Sequence, residues 1–246
     1  MKNEKELIVL ILAAGKGTRM ESDMPKVLHK INGRPMLDYV LENADKLGAD
    51  RKIVVIGHKG EMVKEFIAGR AETVVQEPQM GTGHAVMCAE SKIEGSEGTI
   101  LMVYGDVPML KALTLSSLIE AHEEQNNSGT ILTAFLDDAT GYGRIIRDDR
   151  GNVEGIVEHK DANNEQRKIK EFNTGICCFN IRDLFIILKE ITNNNSQKEY
   201  YITDAFGLMK KRGWKIGTST ADDPSETEGI NTLEQLKRAE RIMAEI

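Results

Sequence analysis

The run Leu7-Ile8-Val9-Leu10-Ile11-Leu12-Ala13-Ala14 leads into Gly15-Lys16-Gly17-Thr18-Arg19-Met20, and Pro25-Lys26 follows a few residues later. Eight consecutive apolar residues that end in Gly-x-Gly are too few for a helix of ordinary length. They read as a buried parallel strand running into a tight loop. Small residues at Ala13, Ala14, Gly15 and Gly17 let a ligand approach the backbone, and Lys16, Arg19 and Lys26 bring three cations to the same place. That combination suits a polyphosphate; the alternative is an ordinary strand-to-helix turn with solvated cations. Two common glycine motifs are excluded. A dinucleotide fingerprint needs a third glycine where Met20 stands, and the P-loop pattern occurs nowhere in the sequence.

Outward from that loop, apolar residues at 36, 37, 40, 41, 44 and 47 predict a helix, and 52–56 is a second short buried strand. A helix over 61–68, a strand at 73–75, a helix from His84 and a strand over 99–104 continue the alternation. Strands separated by helices imply an α/β fold, a mostly parallel sheet with helices on both faces. Ligands on such sheets bind beyond the carboxyl ends of the strands, and Gly15, Gln76 and Asp106 each fall just past one.

The second half reads as a mixed lobe. A helix over 115–125 precedes a strand at 130–136, and a hairpin pairs 144–147 with 153–158 around Asp148-Asp149-Arg150-Gly151. A strand at 173–179, helices at 183–191 and 201–211 and a returning strand at 214–218 follow. Thr232 with Gln235 forms a capping box that opens a last helix running to Ile246.

Composition limits the function classes. The 246 residues suit one large domain or two lobes, and a net charge of -7 argues against sequence-independent binding to nucleic acid or to an anionic membrane. The loop cations must therefore act locally. Cys88, Cys177 and Cys178 are too few and too irregular for a disulfide framework or a zinc site, which fits a reducing cytoplasm. Lys2 and Lys5 before the apolar run imitate a signal peptide, but Glu4 and Glu6 interleave with them and a charged glycine loop follows. No apolar run reaches the roughly 18 to 20 residues of a spanning helix.

The stretch Leu12-Ala13-Ala14-Gly15-x-Gly17-Thr18-Arg19-Met20 with Pro25-Lys26 resembles the signature of sugar-nucleotide pyrophosphorylases. Residues 76–84 (QEPQMGTGH), 104–108 (YGDVP), 140–144 (TGYGR), 155–161 (GIVEHKD), 173–175 (NTG), 200–204 (YYITD) and 228–231 (EGIN) narrow the likeness. Together they resemble the uridylyltransferase half of the bacterial bifunctional N-acetylglucosamine-1-phosphate uridylyltransferase/glucosamine-1-phosphate acetyltransferase family, from about residue 7 to about 243. The resemblance implies a Rossmann-like nucleotide-diphospho-sugar transferase fold. Its nucleotide lobe would span about 1–110 and its sugar lobe about 111–231, with a helical arm over 232–246. That family continues into a left-handed β-helix of hexapeptide repeats, which this sequence lacks, so acetyl transfer and that route to trimers are expected to be absent. The oligomeric state is otherwise open.

The implied reaction joins UTP and N-acetylglucosamine 1-phosphate into UDP-N-acetylglucosamine, a cell-wall and lipopolysaccharide precursor, with release of pyrophosphate. Nucleotidyl transfer needs charge neutralisation and in-line positioning rather than a nucleophilic side chain. His58, His84 and Cys88 therefore receive no catalytic role. By resemblance, Arg19 and Lys26 are catalytic, with Lys16 a helper or a solvated surface lysine. Asp106 and Asn231 hold Mg²⁺, the alternatives being a turn aspartate and a helix cap. Leu12, Ala13, Ala14, Gly15, Lys16, Gln76, Gly81 and Thr82 meet the nucleotide, the Gln76 amide donating to and accepting from the base at once. Tyr104, Gly105, Gly143, Glu158, Asn173 and Thr203 meet the sugar. Other sugar 1-phosphates such as glucose 1-phosphate, dTTP in place of UTP, and a UDP-sugar sensor without turnover are the competing readings.

Overall fold

The structure, a computed structural model, describes residues 5–20 and 22–244. The opening run forms β1 (Glu6–Ala13), followed by a small hairpin of β2 (Lys30–Ile31) and β3 (Arg34–Pro35). Next come α1 (Met36–Lys46), β4 (Arg51–Ile56), α2 (Gly60–Ile67), β5 (Glu72–Val75), α3 (Thr82–Cys88), α4 (Glu90–Ile93) and β6 (Gly98–Tyr104). The second half contains α5 (Ala112–Glu124), β7 (Gly129–Phe135), β8 (Gly143–Arg147), β9 (Val153–Val157) and α6 (Asn164–Arg167). It closes with β10 (Glu171–Asn180), α7 (Ile181–Leu188), α8 (Asp204–Lys211), β11 (Ile216–Thr220) and α9 (Leu233–Ala244).

All but the two short hairpin strands lie in one sheet, ordered β11-β7-β10-β6-β1-β4-β5, with β8 and β9 hanging from β10. As the apolar run implied, β1 sits inside the sheet, parallel to β4 on one side and β6 on the other. The exceptions to the parallel rule are β10, antiparallel to β6, β7 and β8, and the antiparallel pair of β8 with β9. Residues of both halves build both cores: Leu10 and Met102 share one with Phe179 and Phe206, while Ile11 and Val103 share the other with Leu132 and Phe172.

Local chemistry explains where the elements depart from expectation. The helix expected from 201 starts at Asp204, because residues 200–202 are tied to the 80–83 loop. The Tyr200 N–H donates to the Met80 carbonyl (2.8 Å), Gly83 N–H to the Tyr200 carbonyl (2.7 Å) and Ile202 N–H to Thr82 Oγ1 (3.1 Å). The helix expected from 183 starts two residues earlier because the Asn180 side chain accepts from Asp183 N–H and caps it. The expected strand at 214–218 shifts to Ile216–Thr220, since the chain first closes α8 through a bond from Trp214 N–H to the Met209 carbonyl. The β2–β3 hairpin was missed although Asn32-Gly33 is a strong two-residue turn signal. Both residues have positive φ, 48° and 82°. The short α6, closed by an Asn163–Gln166 capping box, was missed as well.

α9 matches its capping box, with Gln235 N–H donating to Thr232 Oγ1 (3.2 Å) and Thr232 N–H to Gln235 Oε1 (3.1 Å). The expected end of that helix at Ile246 lies outside the described residues. Ala239, Leu236 and Met243 pack it onto Ile31 and Met36, so α9 is seated on the body of the domain.

Candidate active site

A cleft of about 740 Å³ opens at the carboxyl ends of β1 and β6. Leu12, Ala13, Ala14, Gly15 and Lys16 form one wall, and Gln76, Gly81 and Thr82 the other. Lys26, Asp106 and Asn231 form the rest of its charged rim. These residues come from four separate parts of the sequence, and the fold brings all of them together.

The charged end is a knot of cations on oxygens. Lys26 Nζ donates to Asp106 Oδ2 and, at 2.8 Å, to Asn231 Oδ1, while Arg19 Nη2 donates to the same Asn231 oxygen at 3.1 Å. Gly17 makes the approach possible: its φ of +60° is a left-handed conformation, and a Cβ there would meet Lys26 Cβ at 2.7 Å. Asn231 is held from behind. Its N–H donates to Gln235 Oε1 at 2.8 Å, and the Ile230 N–H donates to the Asp106 carbonyl at 2.9 Å. The capping box of α9 therefore fixes the residue that faces Asp106.

Those two oxygens converge on positive charge, which is the property a metal site needs. No cluster of three or more His, Cys, Asp or Glu suited to a metal occurs among the described residues. A divalent ion held by Asp106 and Asn231 would draw its remaining ligands from phosphate and water, the habit of Mg²⁺.

On the base side, Gln76 is 5 % exposed. Its Nε2 donates to the Gly81 carbonyl at 2.8 Å and lies 3.3 Å from His84 Nδ1. One hydrogen of the amide is thus taken by the Gly81 carbonyl, while the other side of Nε2 faces His84, whose tautomer sets which of the two donates. His84 supports that orientation. Gly81 has φ +101°, and a Cβ there would lie 2.6 Å from the Tyr200 carbonyl oxygen, so glycine is what lets the 80–83 loop meet the 200–202 segment.

A smaller cavity of about 250 Å³ adjoins the cleft, and the two share Thr82, Tyr104 and Glu199. Gly143, Glu158, Asn173 and Thr203 line it as expected. A break in the regular pairing of β10 with β7, between Asn173 and Cys177, accounts for part of this placement. Thr174 Oγ1 donates to the Leu132 carbonyl (2.7 Å) and accepts from Ile176 N–H (3.2 Å), replacing ladder bonds by side-chain bonds. Asn173 Oδ1 accepts from Gly175 N–H at 3.0 Å. Glu158 accepts from Thr203 Oγ1 at 3.1 Å. Burial raises the Glu158 carboxyl above its ordinary value and Asp204 and Asp161 add to the shift, against the opposing effect of the Thr203 bond. Burial likewise pushes the Tyr104 phenol far up.

Gly105 departs from expectation. It is absent from the walls of both cavities; its N–H donates to the Leu12 carbonyl, and a Cβ there would meet Val27 Cγ1 at 3.0 Å. Lys16 lines the cleft but is exposed. Two wall residues received no role from the sequence. Gln79 donates through Nε2 to the Ala14 carbonyl, and Glu199 stands where the two cavities meet.

The chain is 47% identical over 96% of its length to the bifunctional protein GlmU of Acetivibrio thermocellus, covering 51% of that protein. It is 47% identical over 97% of its length to the bifunctional protein GlmU of an Exiguobacterium species, covering 53% of it. The chain thus spans about half the length of these relatives. The fold matches a crystal structure of UDP-glucose pyrophosphorylase complexed with UDP-glucose, at 18% identity and a TM-score of 0.76, covering 98% of this chain and 99% of that one. The apo form of UDP-glucose pyrophosphorylase gives a TM-score of 0.72 at the same identity and coverage. The family model for the MobA-like NTP transferase domain matches residues 9–141, more than half of the chain, and the protein belongs to that family.

Proposed function

We propose that the protein is an N-acetylglucosamine-1-phosphate uridylyltransferase, joining UTP to N-acetyl-α-D-glucosamine 1-phosphate and releasing pyrophosphate. The observation that carries this reading is the convergence of Lys26 and Arg19 on Asp106 and Asn231, between a cleft for a nucleotide and an adjoining polar cavity. The similarity to GlmU proteins supports the choice of base and sugar, and family membership supports nucleotidyl transfer.

The substrate phosphate supplies its own nucleophile. An oxygen of the sugar phosphate attacks the α-phosphorus of UTP in line, the bond from that phosphorus to the α,β-bridging oxygen breaks, and pyrophosphate leaves with the electron pair. Arg19 and Lys26 neutralise charge that accumulates on the α-phosphate and the leaving group, without reorganisation at the moment of reaction. Asp106 and Asn231 would hold Mg²⁺, which when bound offsets phosphate charge and orients the triphosphate. The backbone of residues 13–15, Gln76 Oε1 and the Gly81-Thr82 segment receive uracil. Glu158 and Asn173 hydrogen-bond the sugar, with Thr203 holding Glu158 and Tyr104 and Gly143 shaping the cavity.

In this reading the nucleotide is held mainly by residues 1–110 and the sugar mainly by 111–231, and the reaction takes place in the cytoplasm. Among the described residues no helix is long and apolar enough to cross a membrane.

The test is pyrophosphate release from UTP and Mg²⁺ with N-acetylglucosamine 1-phosphate, glucosamine 1-phosphate or glucose 1-phosphate, and EDTA as control. Release with the acetylated sugar alone, abolished by EDTA, is the expected result. Equal release with glucose 1-phosphate would reject the sugar assignment, and the similar fold complexed with UDP-glucose makes that the second reading to exclude. Release with dTTP but not UTP would reject the base. UDP-sugar binding with no release at all would leave a sensor.

A further inference from the structure

Two segments must be brought into register for Asp106 to face Asn231. One leaves β6 at Asp106 and reaches α5 through Lys111; the other arrives at Asn231 through the turn Pro224–Thr227. A bond from Ile230 N–H to the Asp106 carbonyl joins them at the site. The second junction is a buried carboxylate. Glu226 is 3 % exposed, its Oε2 accepts from Lys111 N–H at 3.0 Å, and both its oxygens lie 3.0 Å from the Thr114 hydroxyl that donates to them. An acid this buried is tolerated only because its oxygens are satisfied. It also sits at the start of a 13-residue helix, where the first N–H groups have no partner within the helix.

Glu226 lines neither cavity, and its carboxylate is bonded by Lys111 and Thr114. We propose that Glu226 is a positioning residue for metal-assisted nucleotide binding, clamping the segment that carries Asn231 to the segment that carries Asp106. This rests on the reading of Asp106 and Asn231 as the metal-binding pair. With the clamp in place, Asp106 and Asn231 stay facing one another across Lys26 Nζ. Without it, the Ile230 bond and the exposed Lys111–Asp223 ion pair are left between the two segments, and the pair loosens. Residues behind metal ligands commonly govern affinity in this way.

The chemistry of the clamp also predicts which substitution is tolerated. In Glu226→Gln, Oε1 accepts from Lys111 N–H and Nε2 donates to the Thr114 hydroxyl oxygen, so both junctions survive. Glu226→Ala removes both and leaves the Lys111 N–H without its carboxylate partner.

Calorimetric binding of an α,β-methylene analogue of UTP, which prevents turnover, tests this with excess Mg²⁺ and again with EDTA. Glu226→Ala should weaken binding about 10- to 100-fold in Mg²⁺ and leave binding in EDTA unchanged, whereas Glu226→Gln should match the parent protein in both. If Glu226→Ala lowers only the unfolding temperature and keeps the full effect of Mg²⁺, the residue is merely structural and the proposal is overturned. Asp106→Asn separates the two ideas. If Mg²⁺ dependence survives that change, the metal-pair reading fails; if it is lost there but retained in Glu226→Ala, only the clamp fails. Should Glu226→Ala not fold, Thr114→Val cuts one arm of the clamp and should lose part of the Mg²⁺ effect; no loss overturns the proposal.

Discussion

The two ends of the site are built on different principles. At the charged end, Arg19, Lys26, Asp106 and Asn231 satisfy one another directly. At the other end, Glu158 and Asn173 are each held by a single neighbour, Thr203 and the Gly175 N–H, and keep hydrogen-bonding capacity in hand. A self-satisfied knot of charge responds to any phosphate; partly satisfied neutral and acidic groups respond to the pattern of donors on one sugar. The difference teaches that rate and selectivity should separate along the cleft.

The sharpest way to break that division is at the charged end. Lys26→Ala and Arg19→Ala should each lower kcat about 10²- to 10³-fold, to the same degree for every sugar phosphate accepted, with circular dichroism unchanged. A loss confined to one sugar would contradict the separation. Asn173→Ala should instead leave the rate with a poor sugar phosphate nearly intact and lower kcat/KM for the preferred one about tenfold, the scale of one or two neutral hydrogen bonds. Steady-state kinetics with the acetylated and non-acetylated sugar phosphates measure both.

Glu158 sharpens the comparison through pH. Its carboxyl is raised in the folded protein, so between the unfolded and folded values the native state binds more protons, and stability falls as pH rises through that window. Glu158→Gln removes that penalty. The variant should melt higher than the parent at neutral pH and converge with it in acid, while its KM for the sugar phosphate rises at neutral pH. Thermal melts and KM across the same pH range decide it; a variant that melts lower at neutral pH would show that the carboxylate is net stabilising. The smallest effect belongs to Lys16, exposed at the mouth of the cleft: Lys16→Ala should change kcat/KM by no more than about threefold.

How much of this was legible in the sequence depended on the range of the interaction. The apolar run of β1 and the helical spacing of α1 are local patterns, and both elements appear where the patterns put them. The Asn180 cap and the Asn32-Gly33 turn are equally local signals. Asp106 and Asn231 are a different case. Nothing in composition or spacing joins positions so far apart, and only the resemblance paired them before the fold placed them together. Gly175 inside an apolar strand was a readable hint of the irregularity that helps set Asn173 in the cavity wall. Glu199 and Glu226 carried no hint, because an isolated acid looks like ordinary surface until the chain is folded around it.

The place of β10 has a consequence for how the polypeptide is made. β6 leaves the ribosome with β1 as its neighbour, and its other edge waits for Cys177–Asn180, which emerge more than seventy residues later. At ordinary elongation rates that interval is roughly 4 to 15 s, during which an apolar strand edge stands open to pairing with other nascent chains. Translation that pauses between α5 and β10 would therefore lower the yield of soluble protein without altering a single residue of the cleft.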